Sequence, residues 1–429
     1  MKAKVIGTLV IVALILATLA YVVFVRRGPP PALSVSPSSI DLSLKVGRSS
    51  ELAINISNPG KSEISASLEL VGVSGDLSPT SIIIPPRGSA QVVLRFLGAS
   101  PGEFTGYLRI RYDTSLQEIP IKVTIRLIKI AMVLPGRIDD LSWNYMGWLG
   151  LQLAKEEFGD KIEVAYSEMV AVADAERVIR DYASAGYDLI WVHDFLMGDA
   201  LFKVAKDFPD VHFVWGCGYH GQDPNVAYAD AYPHEAAFLA GVLAAGMTET
   251  KKIGVVAAFD IPILISVTEA FKMGVEYYDS TVEVMEVWTM DWEDAAKAKE
   301  ATLSMIDAGA DVILVLGDGM AYGAIEACKE RGVWIIGAQV DQHERAPELM
   351  LTSILWGQEY NVLNAIKDEV EGKFVPNKFY VQSLSRDGPG LAPYHELESV
   401  IPEDLRQLIE DLAQQIKLGQ LEVPRITTH

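Results

Sequence analysis

The first hydrophobic run of the chain lies at its amino terminus. Val5 to Val25 is 21 residues long and contains no charged residue. At about 1.5 Å per residue this run forms roughly 31 Å of helix, enough to cross a hydrocarbon core of about 30 Å. A cleaved signal peptide is the alternative, but its apolar core is usually about 7–15 residues long. The pattern therefore predicts a transmembrane anchor over residues 1–27, and the prolines that follow predict a stiff linker over 28–32.

From about Leu33 to Leu127 apolar and polar residues alternate. Val92, Leu94 and Phe96 follow this period of two, as do the odd-numbered positions from Ile119 to Leu127. Clusters of Pro, Gly and Asn separate the runs, and no helical stretch occurs between them. The pattern predicts an antiparallel β-sandwich over residues 33–127, immunoglobulin-like in architecture.

From Ile128 onward short apolar runs alternate with helical segments. The predicted strands are Ile128–Leu134, Tyr187–Val192, His212–Trp215, Lys252–Ala257, Asp311–Leu316 and Val333–Gly337, and the helices between them include Asn144–Glu157, Asp199–Phe208 and His234–Met247. Strands that are apolar on both faces are typical of a parallel sheet covered by helices. About 250 residues of this repetition exceed one doubly wound sheet. We therefore predict two α/β lobes with a cleft between them over 128–421, and a short tail over 422–429.

Charge and cysteine content exclude several classes of function. The net charge of −21 argues against nucleic acid as a partner, because binding to phosphates depends on Lys and Arg. The only cysteines, Cys217 and Cys328, make neither a disulfide framework nor a zinc site. The acidity indicates solubility rather than a binding site.

The sequence contains no convincing set of catalytic or metal-binding residues. The turn from Gly317 to Gly323 follows a predicted strand, but its GxGxxxG spacing differs from a dinucleotide loop. Its backbone amides could still face a ligand. His343 and Glu344 are more typical of a solvated loop than of a metal site, and no GxSxG element occurs. We therefore predict a protein that is not an enzyme and has no cofactor or metal.

The tryptophans are concentrated in the α/β region. All eight tryptophans lie there, several at the ends of predicted strands, where α/β sheets bind ligands. Aromatic rings that face each other across a cleft suit a planar ring, since stacking stabilises a bound base by about 1–3 kcal/mol. Most of these tryptophans are nonetheless expected to be core residues.

A series of motifs connects this region to a known family. In chain order they are GRIDDLSWN (Gly136–Asn144), NVA (Asn225–Ala227), EAAFLAG (Glu235–Gly241), KIGVV (Lys252–Val256), GADVI (Gly309–Ile313), GVWIIG (Gly332–Gly337) and LTS (Leu351–Ser353). From Lys129 to about Leu421 the chain resembles the basic membrane protein family of ABC-transporter solute receptors, which includes the purine nucleoside receptors. The resemblance implies a two-lobed type I periplasmic-binding-protein fold that closes on its ligand by a hinge motion.

The resemblance also implies a set of ligand-binding residues. Asp139 would accept a hydrogen bond from the ligand, and Trp148 and Trp292 would stack on the two faces of a planar ring. The glycine-rich turn maps to Gly319, and Asp341 would bind ribose hydroxyls or the edge of a base.

This sequence departs from the nucleoside receptors at two positions of the implied site. Those receptors usually have an aspartate at the position of Cys217 and a lysine near the position of Trp356. This sequence has neither of these polar groups. Asn144, from the first motif, belongs to the implied site as well. The departures leave a free purine base as a competitor to a nucleoside, because the site gains aromatic side chains, namely Phe195, Trp215, Tyr219 and Trp356.

The function that the resemblance implies is capture of a purine nucleoside or base outside the cell and its delivery to ABC permease and ATPase subunits. A ligand-sensing or regulatory receptor of the same fold is the alternative. Members of the family are usually anchored by a lipidated cysteine, which the predicted helix replaces here. Because a solute receptor faces outward, the soluble domains are expected outside a single-pass cell-membrane anchor.

Overall fold

The computed structural model describes residues 32–140, 142–218, 223–386 and 388–428. The predicted anchor, linker residues 28–31 and Tyr219 lie outside this part of the chain. Among the helices of the described residues, none is both long and apolar enough to cross a membrane. The chain divides between Leu127 and Ile128 into two compact units.

The first unit is built from β-strands alone within the described residues. Its strands are β1 (Ser34–Ser36), β2 (Ile40–Lys45), β3 (Ser49–Ser57), β4 (Ile64–Val71), β5 (Asp76–Ser78), β6 (Ser81–Ile84), β7 (Ser89–Leu97), β8 (Gly102–Tyr112) and β9 (Ser115–Arg126). They form two sheets, with the orders β1-β3-β7-β5 and β2-β9-β8-β4-β6. All pairs are antiparallel except β2 with β9, which run parallel.

The period of two in this unit separates a buried face from an exposed face. In β7 the side chains of Val92, Leu94 and Phe96 are buried, whereas Gln91 and Arg95 are exposed. Successive side chains of a strand point to opposite faces, so each sheet contributes one apolar layer to the core of this unit.

The second unit contains two parallel sheets. Its strands are β10 (Ile128–Val133), β11 (Ile162–Ser167), β12 (Leu189–Val192), β13 (His212–Gly216), β14 (Val226–Ala231), β15 (Lys252–Ala257), β16 (Glu283–Trp288), β17 (Val312–Leu316), β18 (Trp334–Gln339), β19 (Met350–Leu355) and β20 (Phe379–Gln382). The sheet orders are β11-β10-β12-β13-β14-β20 and β16-β15-β17-β18-β19. This arrangement confirms the predicted two-lobed α/β fold; we call the lobes lobe 1 and lobe 2 in that order.

Helices cover both sheets. They are α1 (Trp143–Phe158), α2 (Ala175–Ser184), α3 (Gly198–Asp207), α4 (His234–Met247), α5 (Pro262–Tyr278), α6 (Ala295–Asp307), α7 (Ala321–Arg331), α8 (Gln358–Glu371) and α9 (Glu403–Lys417). Helix α4 follows a lobe 1 strand but packs on α5 in lobe 2, whereas α8 follows a lobe 2 strand and packs on α1 in lobe 1. The chain thus passes between the lobes after β14, β19 and β20, and these connections are the natural hinges.

Two glycines allow α4 to pack closely on lobe 2. A Cβ atom at Gly241 would lie 2.0 Å from the carbonyl oxygen of Phe271, and one at Gly274 would lie 2.0 Å from that of Phe238. The helix backbones therefore touch where these residues face each other. This contact fixes the helix that directly follows the first connection between the lobes.

Candidate functional site

Unusual backbone conformations mark the carboxyl ends of the parallel strands in both lobes. Met169 (φ 58°) and Cys217 (φ 75°) follow strands of lobe 1, and Met290 (φ 55°) follows one of lobe 2, while Gln339 (φ 76°) ends β18. Positive φ is unfavourable for residues other than glycine and is concentrated at functional sites. Ligands of α/β sheets also bind outside the carboxyl ends of strands. Both observations indicate that the site lies between the lobes at these ends.

Hydrogen bonds within lobe 1 hold the loop after β10 against the start of α1. The Asn144 side chain accepts from the Gly136 amide (2.9 Å) and donates to the Asp140 carboxylate (2.8 Å). Asp140 also accepts from the backbone amides of Asn144 and Tyr145, both at 3.0 Å. A carboxylate at this place stabilises the first turn of a helix. Asn144 therefore positions the loop, and its side-chain oxygen and nitrogen are both engaged within it.

Trp143 forms an aromatic cluster with His193 in lobe 1. The two rings are stacked, with centroids 4.3 Å apart and an angle of 14° between planes. The indole of Trp143 donates to the His193 carbonyl oxygen (2.9 Å), and His193 Nε2 lies 2.8 Å from the Trp143 carbonyl oxygen. This second distance fits a hydrogen bond in which Nε2 is the donor.

The tautomer of His193 follows from its partners. Trp191 Nε1, which can only donate, lies 2.9 Å from His193 Nδ1, so that nitrogen must accept. The proton of the neutral ring is therefore on Nε2 and points to the carbonyl of Trp143. Burial lowers the pKa of His193 to about 4, which keeps the ring neutral at physiological pH.

Trp356 reaches the same cluster from the connection between β19 and α8. Its side chain is buried, and its ring meets the Trp143 ring edge-on at a centroid distance of 6.4 Å. Within the described part of the chain, its indole Nε1 is buried without a hydrogen-bond partner. A buried donor left unsatisfied costs about 1–3 kcal/mol, so this group is suited to meet an acceptor atom of a ligand.

Lobe 2 contributes polar and charged groups that meet lobe 1. The Ser142 hydroxyl, just before α1, contacts Oδ1 of Asp318 and Oε1 of Gln339. The Arg345 guanidinium donates to the Asp140 carbonyl oxygen (2.8 Å) and lies 4.3 Å from the centre of the Tyr322 ring. These bonds hold the two lobes together in a closed arrangement.

The surroundings of this contact raise the pKa of two of its carboxyl groups. Burial, together with the nearby charge of Asp140, raises the pKa of Asp318 to about 7. The same two causes raise the pKa of Glu293. Burial lowers the pKa of Arg345, whose Nε and Nη1 are buried without a partner within the described residues.

Three residues of the predicted site have neighbours within their own lobe. Asp139 is exposed and forms a bidentate ion pair with Arg137, at 2.7 and 2.8 Å, which lowers the pKa of that carboxylate. The ring of Trp148 contacts Tyr145 (5.7 Å between centroids), and the ring of Trp292 contacts Phe259 (5.2 Å). Stacking of a ligand between Trp148 and Trp292 stays a prediction.

The predicted glycine-rich turn and late aspartate have partners within lobe 2. A Cβ atom at Gly319 would lie 2.0 Å from the carboxylate of Glu293, which covers this turn. Asp341 accepts from His395 (2.7 Å) and from the backbone amide of His343 (3.0 Å). A ligand would have to replace these partners in order to reach the two residues.

Phe195 and Cys217 follow two neighbouring strands of lobe 1. Phe195 comes after β12, and Cys217 comes directly after β13. Phe195 is exposed and stacks on Trp215, with centroids 5.6 Å apart. Burial and the charges of Asp230 and Asp194 raise the pKa of Cys217 well above its usual value. Cys217 is therefore a neutral thiol.

Sequence reasoning missed several residues that the fold brings together. Trp143 stands inside the first motif, but the resemblance assigns the stacking role to Trp148. Asp318 stands inside the glycine-rich turn, where the resemblance singles out Gly319. Ser142 also stands inside the first motif. The remaining members carry no local signal in the sequence, and they are His193, Gln339 and Arg345.

Comparison with known proteins supplies a family match. The model of a family described as "ABC transporter substrate-binding protein PnrA-like" matches residues 127–427. The chain is 30% identical over 297 residues to a purine-binding protein of Brucella abortus, covering 68% of this chain and 82% of that protein. It is 29% identical over 290 residues to a putative ABC transporter glucose-binding protein of Haloferax volcanii, covering 66% of this chain and 73% of that one.

A solved structure matches the same region. It is an ABC transporter solute-binding protein from Aeropyrum pernix, with a TM-score of 0.62 and 27% identity. The match covers 69% of this chain and 94% of that protein.

Proposed function

The chain belongs to the PnrA-like family of ABC transporter substrate-binding proteins, and we propose that it captures a purine nucleoside or purine base between its two lobes. Capture takes place outside the cell and is followed by delivery to an ABC permease with its ATPase. No bond is made or broken, because the work of the site is selective binding and closure.

The observation that carries the proposal is the pairing of Trp356 with Trp143. A buried indole donor that has no partner among the described residues lies at the edge of an aromatic cluster, in a segment that joins the lobes. A purine offers ring nitrogens that accept a hydrogen bond and a flat face that stacks on aromatic rings. A sugar offers hydroxyl groups and no comparable flat face. The Brucella relative, which is named a purine-binding protein, supports the same choice.

The remaining predicted contacts complete the proposed site. Trp148 from lobe 1 and Trp292 from lobe 2 stack on the purine when the lobes close. Asp139 exchanges Arg137 for an N–H group of the base, which is feasible because the present ion pair is exposed and therefore weak. Asp341 binds the ribose or a base edge after releasing His395.

The amino-terminal part of the chain serves to place the receptor. We propose that residues 1–27 anchor it in the membrane with the soluble domains outside, and that the β-unit is an immunoglobulin-like spacer. An anchored receptor stays near its permease, which raises its effective concentration there.

A calorimetric titration of the full chain in detergent tests the ligand. Adenosine, guanosine, adenine and glucose are compared, and at least one purine compound is expected to bind while glucose does not. At 100 times the dissociation constant, binding stabilises the protein by about 2.7 kcal/mol, which a thermal shift detects. Binding of glucose without any purine would overturn the proposal.

A pair of tryptophan variants tests the site. Trp356→Phe keeps an aromatic ring but removes the Nε1 donor, so purine binding is expected to weaken about tenfold or more, as for a lost buried hydrogen bond. Trp334→Phe is the matched control, because Trp334 begins β18 at the end of the strand opposite to the cleft. Equal effects of the two variants would remove Trp356 from the site.

A further inference from the structure

Three polar side chains from the two lobes meet at one point. In their usual forms they supply fewer hydrogen atoms than the contacts between them require. Ser142 Oγ from lobe 1 contacts Asp318 Oδ1 and Gln339 Oε1 from lobe 2. Gln339 Nε2 also donates to Asp318 Oδ1 (3.2 Å). The group therefore has three contacts between polar atoms, and each contact needs one hydrogen atom to be attractive.

Serine supplies one of these hydrogens and the Gln339 amide supplies another. The third has to come from Asp318 in its carboxylic acid form. Asp318 then donates to the Ser142 hydroxyl, the hydroxyl donates to Gln339 Oε1, and the Gln339 amide donates back to Asp318. With an ionised carboxylate, one contact would join two acceptors without a hydrogen between them.

The assigned orientation of the Gln339 amide does not affect this count. Oxygen and nitrogen of an amide are assigned from the hydrogen-bond network, so the reversed orientation has to be considered. In that case Nε2 donates to Ser142 and the hydroxyl donates to Asp318. The amide oxygen then faces Asp318 Oδ1 at 3.2 Å, and this contact is repulsive with an ionised carboxylate and attractive when Asp318 carries the proton.

The charges around Asp318 favour the acid form. Asp140 from lobe 1 and Glu293 from the loop before α6 raise its pKa, and burial is the largest cause of the shift. Arg345 is the positive group facing it, and within the described residues its guanidinium donates to the Asp140 carbonyl oxygen and the Tyr322 hydroxyl. Among the described residues, two acids and one cation therefore face the carboxyl group.

We propose that Ser142, Asp318 and Gln339 form a proton-dependent clasp, which closes the lobes when Asp318 binds a proton and loosens when it releases one. If the lobes close on a ligand, capture is coupled to the uptake of a proton, and this part of the inference rests on the proposed function. The clasp itself is a contact between the lobes and acts without ligand as well.

The direction of the pH dependence follows from the two states of Asp318. In the closed arrangement its pKa is about 7, whereas an aspartate open to water has a pKa of about 3.9. The closed state therefore binds the proton more tightly and is favoured in acid. Its advantage is lost as the pH rises through about 7, and the closed-to-open ratio is expected to fall at least about tenfold between pH 5 and pH 8.

Distances between spin labels in the ligand-free full chain test the clasp directly. Glu156→Cys on α1 and Glu300→Cys on α6 are exposed positions on the two lobes. With the otherwise unchanged chain, the closed distance is expected to dominate at pH 5.5 and to decline at pH 8.5. With Asp318→Asn, which is neutral and keeps a donor, the distribution is expected to be the same at both pH values.

A matched control and a second variant make this result specific. Asp210→Asn removes an exposed carboxylate from a loop of lobe 1 and is expected to behave like the unchanged chain. Ser142→Ala removes the lobe 1 partner and should favour the open distance at both pH values. A pH-independent distribution in the unchanged chain would overturn the proposal, and so would Asp318→Asn following the unchanged chain.

Calorimetry with adenosine measures the coupled proton. At pH 6, in buffers of different ionisation enthalpy, binding is expected to take up a fraction of a proton, because part of the ligand-free chain is already closed and protonated, and Asp318→Asn should lose this uptake. Adenosine binding without proton uptake contradicts the coupling but leaves the proposed function intact. Absence of binding counts against adenosine as the ligand, while the spin-label distances still decide whether the clasp exists.

Discussion

The two lobes present different chemistry to the cleft between them. On lobe 1, Asn144 and His193 make their hydrogen bonds within the same lobe, and Trp143 stacks on the neutral His193 ring. On lobe 2, Asp318 and Arg345 bond to groups of lobe 1, and two nitrogens of Arg345 have no partner within the described residues. Lobe 1 is therefore a preformed platform, whereas the groups of lobe 2 depend on closure.

This difference has a physical reason. Polar groups that are satisfied inside one lobe keep their geometry whether the cleft is open or closed. Groups whose partners lie on the other lobe exchange water for those partners on closure, so they respond to pH and ligand. The comparison predicts that changes in lobe 1 affect stability most, whereas changes in lobe 2 affect closure and binding.

The largest expected effect is on stability, from Trp143→Ala. The change removes the stack on His193 and the hydrogen bond to its carbonyl, and it is expected to destabilise the second unit by about 3–4 kcal/mol. Urea unfolding followed by circular dichroism measures the shift. Trp292→Ala in lobe 2, where the ring contacts Phe259, should destabilise less. Equal losses would contradict the platform role of lobe 1.

A slightly smaller effect is expected from acidification acting on His193. Its pKa is about 4 in the fold and about 6.5 in the unfolded chain, so the unfolded state binds the proton first as the pH falls. Stability from this group is present above pH 6.5 and is lost between about pH 6.5 and 4, by about 3 kcal/mol in total. Unfolding free energies measured at pH 7, 5.5 and 4.5 check this.

The variant His193→Gln isolates this contribution. Glutamine does not titrate, so the part of the pH dependence that belongs to His193 should disappear, although the variant is less stable at pH 7. Acid acts in opposite directions on the two groups. It lowers the stability that His193 contributes, whereas the raised pKa of Asp318 favours the closed state in acid. Should the variant lose stability with acid as steeply as the unchanged chain, the assignment to His193 is wrong.

The smallest expected effect on stability comes from Arg345→Ala in lobe 2. Two guanidinium nitrogens are buried with no partner in the part of the chain that the structure describes, so their removal offsets the loss of the bond to Asp140. The unfolding free energy is expected to change by less than about 0.5 kcal/mol. Purine binding should nonetheless weaken about tenfold, which is about 1.4 kcal/mol, because a bond between the lobes is lost.

Arg345→Lys provides the control for this variant. Lysine keeps the charge and one donor, and it should recover part of the affinity measured by titration. A large loss of stability with unchanged binding would assign Arg345 to the core of lobe 2 and contradict the comparison.

The sequence predicted the central strands of each lobe better than the outer ones. β15 matches the predicted run, and β17 begins one residue later, because strands buried on both faces are apolar throughout. β16 (Glu283–Trp288) lies at the edge of its sheet, and its two glutamates interrupt the apolar run. β20 has only four residues and joins lobe 1 from the far end of the chain, which no local pattern reveals.

At the site, the adjacent aspartates show where local reasoning stops. The family resemblance assigns the ligand contact to Asp139, whereas the local pattern by itself does not say which of Asp139 and Asp140 stabilises the start of the helix. In the fold Asp140 accepts backbone amides at the start of α1, whereas Asp139 pairs with Arg137 at the surface. The choice depends on the exact start of the helix, which the pattern gives only within a few residues.

The sequence by itself determined the β-unit pattern, the two parallel lobes and the concentration of aromatic residues in the second unit. These properties follow from the local period of apolar residues, which the chain carries wherever it folds. Only the tertiary structure decided which polar groups meet. Ser142 is 176 residues from Asp318 and 197 from Gln339, and Arg345 reaches a carbonyl 205 residues away. Their burial, and the hydrogen that their contacts require, exist only because closure brings the lobes together.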